Sequence, residues 1–253
     1  MLSEKPWKFE DVARLLLGLV ATVCFGILLG SLLQRLMKGL PETDQKMLNL
    51  IIGVLAFQGS GLLWITFFLR EQKVSWSTAF GFQSPRRGWA VLLGLGGGLL
   101  VLPLALALQQ LSAILLQSLR IKPEPQQTVQ IFKETVAQAV PTATSIGEQI
   151  FFSLFVILLA PLAEEILFRG ILYPTIKQAG FPRLALWTTS ILFALSHFTI
   201  IAILPLTFFA LVLVALYEAT DNLLAPILAH SFFNAANVFL MFNEQRILHF
   251  FQS

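Results

Sequence analysis

Glu164, Glu165 and Arg169 stand inside the run Phe151 to Gly170 (FFSLFVILLAPLAEEILFRG), where every other residue is apolar or small. A charged side chain near the bilayer centre costs roughly 2.5 to 3.5 kcal/mol on insertion scales, so a cluster of this kind requires mutual compensation. Glu165 and Arg169 are four positions apart and share a helical face, where they can neutralise each other. Glu164 is rotated from that face by about 100° and stays available. A carboxylate withdrawn from bulk water becomes a stronger base, the property needed to take a proton from a water molecule. The competing reading is that all three charges reach the lipid headgroups by snorkelling.

Two further polar pairs follow. Phe193 and His197 are four apart, and so are His230 and Asn234, so each pair shares a helical face. Taken singly, a histidine in an apolar segment is a packing residue bonded to a neighbouring helix. Together with the acidic pair, the polar groups can face one interior. His249, the third histidine, lies near Arg246 in the C-terminal tail and reads as a surface residue.

These residues require helices long enough to hold them in a bilayer. The chain has 253 residues, 56% hydrophobic and 12% charged, with a mean hydropathy of +0.77, beyond the range of ordinary soluble domains. The expected fold is an all-α integral membrane protein of about seven helices, six to eight, with the site buried in the C-terminal bundle. Apolar runs cover Leu15 to Leu33, Met47 to Leu69, Trp89 to Leu116, Ile146 to Ala163 and onward, and Leu223 to Phe242. The stretch from Leu184 to Ala219 is too long for one crossing and is expected to break near Pro205. The first span reads as retained rather than as a cleaved leader. The lone Cys24 inside it excludes a disulfide framework and reads as a small buried hydrophobe.

With the N-terminus in the cytoplasm, nine short-loop cations (Lys5, Lys8, Arg14, Arg70, Lys73, Arg86, Arg87, Lys177, Arg183) fall inside and six (Arg35, Lys38, Lys46, Arg120, Lys122, Lys133) outside. The net charge of +3 and the pI near 9.2 are explained by these scattered loop residues, with no basic face for nucleic acid. The segment from Lys122 to Pro141 reads as a polar external loop. Val129, Phe132 and Val136 within it are at the spacing of a helix lying on the membrane surface. The Gly94-Leu95-Gly96-Gly97-Gly98 cluster has no preceding strand and no P-loop lysine, so it reads as a close helix contact rather than a phosphate loop.

In order, Glu164-Glu165-x-x-x-Arg169, Phe193-x-x-x-His197 and His230-x-x-x-Asn234 resemble the three signature motifs of the CPBP family of intramembrane proteases. That family includes the type II CAAX prenyl proteases and the bacterial Abi proteins. The flanking Leu159-Ala160-Pro161, Phe168-Arg169-Gly170 and Leu224 to Ala229 fit as well, and the resemblance covers about Ser153 to Val238. It implies a division into N-terminal auxiliary helices (1–121), a polar loop (122–145), a peptidase core (146–245) and a tail (246–253).

The resemblance implies an intramembrane glutamic endopeptidase that cuts a membrane-associated protein or peptide, CAAX-like or a peptide precursor. The family's water-activating glutamate corresponds to Glu164. His197 can hold that water, and His230 and Asn234 can aim donors at the oxyanion. Glu165 and Arg169 form a supporting pair. The expected setting is multi-pass, in a bacterial inner membrane, with the lipid bilayer as partner and no nucleic acid. A His₂Glu zinc site built from Glu164, His197 and His230 is the alternative for the same residues. The HExxH helix is absent and Asn234 is a better donor than ligand, so cofactor-free catalysis is preferred. A non-catalytic immunity factor, or a transporter relaying protons through the buried charges, is the third reading.

Overall fold

The computed structural model describes residues 2–37, 39, 45, 48, 51–122, 150–151 and 153–252. The candidate surface helix around Val129, Phe132 and Val136 lies outside them. The described residues form helices joined by turns and short irregular segments, with no strand among them. The N-terminal half contains α1 (Phe9–Leu36), α2 (Ile51–Glu71), a short α3 (Trp76–Ala79) and α4 (Arg87–Ser118). Residues 153–178 then form one uninterrupted helix. Within it a π-helical stretch Phe155–Leu159, α5 (Ala160–Glu165), a second π-helical stretch Ile166–Leu172 and α6 (Tyr173–Gln178) follow one another. Three helices complete the chain: α7 (Pro182–Leu195), α8 (Ile203–Thr220) and α9 (Leu224–Gln252).

Local chemistry sets several of these boundaries. Glu10 and Asp11 in the first turn of α1 and Arg35 in its last complement the helix dipole. Pro182 opens α7, where a missing N–H leaves no bond unmade. Asp221 takes the left-handed conformation (φ 47°) that ends α8, and its N–H donates 2.8 Å to the Tyr217 carbonyl. The next residue, Asn222, caps α9 by accepting the Leu224 N–H at 2.9 Å.

Among the described residues, five helices are long and apolar enough to cross a membrane: Phe9–Leu36, Ile51–Glu71, Arg87–Ser118, Ile200–Thr220 and Leu224–Met241. Of the other expected spans, residues 153–178 carry the charged motif, and α7 has 14 residues, about 21 Å of helix. The protein is a multi-pass all-helical membrane protein. The expected break near Pro205 is corrected: the chain leaves helix at Ser196–Thr199, and Pro205 sits in the first turn of α8. A proline in a first turn lacks only an N–H that has no intrahelical partner, so it does not break the helix there. Cys24 is also corrected, because it is exposed on the outward face of α1. Only Val12, Leu15, Leu19, Gly26 and Gly30 of that helix are buried.

Some of the loop cations can be assigned to an end of the bundle. Lys5 reaches Asp221, Gln72 donates 3.0 Å to Asp11 and Lys177 pairs with Glu218, all at one end. The helices α1 and α4 carry Arg35 and Arg120 to the other.

The glycine cluster is a helix contact. A Cβ on Gly94 would lie 2.6 Å from the Ala225 carbonyl, and one on Gly98 would lie 2.9 Å from the Ala229 carbonyl, so α4 runs against the backbone of α9. That is the small-xxx-small geometry by which membrane helices approach closely. Gly96 of the same cluster has open space around it. Gly98→Leu should therefore cost about 1 to 3 kcal/mol by overpacking, while Gly96→Leu leaves stability near wild type. Thermal unfolding of the two purified variants in one detergent checks this, and equal losses would refute the contact.

Candidate active site

A guanidinium with no exposed surface is the centre of the site. Arg169 is 0% exposed, and its Nη1 donates 2.8 Å to Oε1 of Glu165, which is also 0% exposed. The (i, i+4) pairing expected from the sequence is formed, although the stretch after Glu165 is π-helical. Arg169 Nη2 lies 3.4 Å from the Ala210 carbonyl of α8, and the Phe193 ring faces its guanidinium at 4.3 Å. Glu165 thus holds a charge that neither water nor lipid can reach.

The same Glu165 oxygen takes a second bond. His230 of α9 is 3% exposed, and its Nδ1 lies 2.8 Å from Glu165 Oε1. The carboxylate can only accept, so the histidine presents Nδ1–H there and turns Nε2 away. That Nε2 is 3.9 Å from Oε2 of Glu164, whose side chain is 14% exposed. The separation exceeds a hydrogen bond and is close enough for one water to touch both atoms. The two neighbouring glutamates are therefore used differently: Glu165 accepts from both Arg169 and His230 through Oε1, whereas Glu164 Oε2, like Glu165 Oε2, has no hydrogen-bond partner.

His197 follows the end of α7 in the Ser196–Thr199 turn, not within a span, which corrects its expected placement. Its Nδ1 is 2.8 Å from the Phe193 carbonyl, which fixes the proton on Nδ1 and frees Nε2. The aromatic of the motif is a packing hub. Phe193 is fully buried, with its centroid 4.9 Å from the His197 ring and 5.6 Å from the His230 ring. Phe209 closes the far side of His230 at 5.3 Å.

Asn234, one turn beyond His230, donates Nδ2–H to the Val156 carbonyl at 2.8 Å. Val156 lies in the first π-helical stretch. Asn234 thereby ties α9 to the helix carrying Glu164 and retains a second amide hydrogen. The structure gathers Glu164, Glu165, Arg169, His230 and Asn234 between two helices and places His197 against the same aromatic hub. Sequence reasoning did not foresee the Glu165–His230 and Asn234–Val156 bonds, since neither has a signal in local spacing. Among the described residues no group of three His, Cys, Asp or Glu side chains is gathered closely enough to hold a metal ion.

Residues 146–236 match the family model of Rce1-like type II CAAX prenyl endopeptidases. The match supports the CPBP/CAAX protease family for this segment. The chain is also similar to an uncharacterized protein of Bacillus subtilis (strain 168), YpbD, with 36% identity over 86 residues, 32% of this chain and 41% of that protein. It spans about two fifths of the length of this curated relative. No solved structure matches the chain.

Replacing Glu165 removes the counter-ion of a guanidinium that cannot reach water. Glu165→Gln should therefore destabilise the protein by about 3 to 5 kcal/mol, the range for breaking a buried pair on one side. Melting temperature and detergent half-life measure it. A Glu165→Gln protein as stable as wild type would show that Arg169 does not depend on this carboxylate.

Proposed function

We propose that the protein is an intramembrane endopeptidase in which Glu164 activates a water against a peptide bond of a membrane-associated substrate. The observation that carries this reading is the unequal use of the glutamates. Oε1 of Glu165 is committed to Arg169 and His230, while Oε2 of Glu164 has no protein partner and faces His230 Nε2 at 3.9 Å.

In the proposed reaction Glu164 takes a proton from water as its oxygen attacks the scissile carbonyl carbon. The bound proton is then delivered to the leaving amine as the C–N bond breaks. His197, with Nδ1–H fixed on the Phe193 carbonyl, offers Nε2 to orient the water. His230 Nε2 donates to the oxyanion in the imidazolium form, with Glu165 stabilising the charge from the other side of the ring. The second amide hydrogen of Asn234 is the other donor. Partial exclusion of water from Glu164 strengthens each of these interactions. A CAAX-like substrate is supported by the family match over 146–236, and the apolar surroundings suit a membrane-associated peptide. A bacterial inner membrane is the proposed location, for which the Bacillus relative is the support.

A farnesylated CAAX peptide incubated with the purified protein tests the reaction. Wild type should release the C-terminal tripeptide, and Glu164→Gln, still folded, should be slower by about 10² to 10⁴-fold, the usual contribution of a general base. Undiminished cleavage by Glu164→Gln would remove this glutamate from the mechanism. Activity should also persist after dialysis against 1,10-phenanthroline. One zinc per chain, with loss on chelation and rescue by zinc, would replace the proposal with metal catalysis.

A further inference from the structure

The segment ahead of the first span is built into the bundle. Trp7 is 5% exposed, with its indole N–H donating 3.1 Å to the Thr175 hydroxyl of α6 and its ring 5.6 Å from Phe68 of α2. Ser3 donates from both its N–H and its hydroxyl to Oδ1 of Asp221, at 3.1 and 3.0 Å. Lys5 is 8% exposed. Its ammonium donates to Ser3 Oγ at 3.3 Å, lies 4.0 Å from Asp221 Oδ1 and sits 5.7 Å from the centroid of the Tyr217 ring. Burial pushes this ammonium below the usual lysine range, and Asp221 opposes the shift. Leu2 adds a backbone hydrogen bond to Glu218, which also accepts from Tyr173 at 2.8 Å and from Lys177. Keeping a lysine here costs desolvation that an apolar residue would avoid, so its contacts need a purpose beyond filling space.

The segment grips two places, and each is the end of a helix that carries the site. Thr175 lies near the end of the helix bearing Glu165. Asp221 lies in the turn that opens α9, which bears His230. Thr175 and Glu165 belong to one uninterrupted helix, with the π-helical stretch Ile166–Leu172 between them, so a displacement at the Thr175 end is carried along the helix to Glu165. The 2.8 Å contact of Glu165 with His230 joins this helix to α9, so it depends on how the two are held relative to each other at their Thr175 and Asp221 ends.

We propose that residues 2–8 are a latch that positions the helix of Glu164 and Glu165 against α9, with Lys5 and Trp7 as positioning residues of the site read above as the peptidase centre. The match to the protease family begins at residue 146, so nothing in the family's motifs assigns this role.

Full-length protein in detergent tests it. Lys5→Glu, which sets two carboxylates against each other, and Trp7→Ala should each speed amide hydrogen exchange over residues 164–178 and 222–233 by about tenfold, the signature of local opening. Cleavage of the farnesylated CAAX peptide should lose kcat with little change in KM. A disulfide from Ser3→Cys with Asp221→Cys, placed on Trp7→Ala with Cys24→Ser, should restore both readouts and lose them on reduction. Folded variants with unchanged exchange in either segment, or faster exchange with full kcat, would overturn the latch. Where Trp7→Ala does not fold, Lys5→Glu and the reducible crosslink on otherwise native sequence decide by the same criteria. If Glu164→Gln still cleaves the peptide, the reading of the site fails, while exchange and the crosslink still judge the latch.

Discussion

Burial of the Arg169 guanidinium is the constraint from which the rest of the site follows. A permanent charge with 0% exposure needs a carboxylate, and Glu165 four residues earlier supplies it at 2.8 Å. The pair lacks partners for Arg169 Nε and Glu165 Oε2, so intrahelical neutralisation leaves it under-satisfied. The surrounding helices add contacts at its other atoms: a carbonyl of α8 at Arg169 Nη2, the Phe193 face from α7 over the guanidinium and the His230 ring from α9 at Glu165 Oε1. Three helices are thereby held to one charged point in a medium where apolar contacts alone give little preference for one helix neighbour over another.

This arrangement also explains why two adjacent glutamates can coexist. Were both committed to structure, no oxygen would be left to do chemistry; were both free, two like charges would face each other in a low-dielectric interior. Commitment of Glu165 leaves Glu164 as the unpaired group, and His230 lies between them with one ring nitrogen toward each. His230 connects the structural pair to the Glu164 carboxylate. It sits within a cage of Phe193 and Phe209 rings that leaves it little freedom to turn.

Features governed by local spacing were legible in the sequence. The Glu165–Arg169 pairing, the availability of Glu164, the Phe193–His197 relation and the close contact at the glycine cluster all depend on helical periodicity or residue size. The membrane class followed from composition. Features governed by tertiary contact were not legible. The turn at Ser196–Thr199 contains no proline or glycine, and Pro205 drew the expected break toward a position where proline is harmless. Cys24 looked buried because its neighbours are apolar, but an apolar face in a membrane helix can point to lipid as readily as to protein. Lys5 counts in the sequence only as one of the short-loop cations, since nothing in the composition around it shows that it is covered.

The extent of the working unit follows from the same contacts. The family match spans 146–236, yet α9, which bears His230 and Asn234, lies with its backbone against Gly94 and Gly98 of α4. The opposite face of this contact leads to the site, because Ala229 is both the partner of Gly98 and the neighbour of His230 in sequence. A shift of α4 would therefore move the histidine, and Oε1 of Glu165 accepts within hydrogen-bond range at 2.8 Å, leaving it little tolerance for such a shift. The motifs mark where the charges are, whereas the precision of their placement is shared with helices that carry none of them.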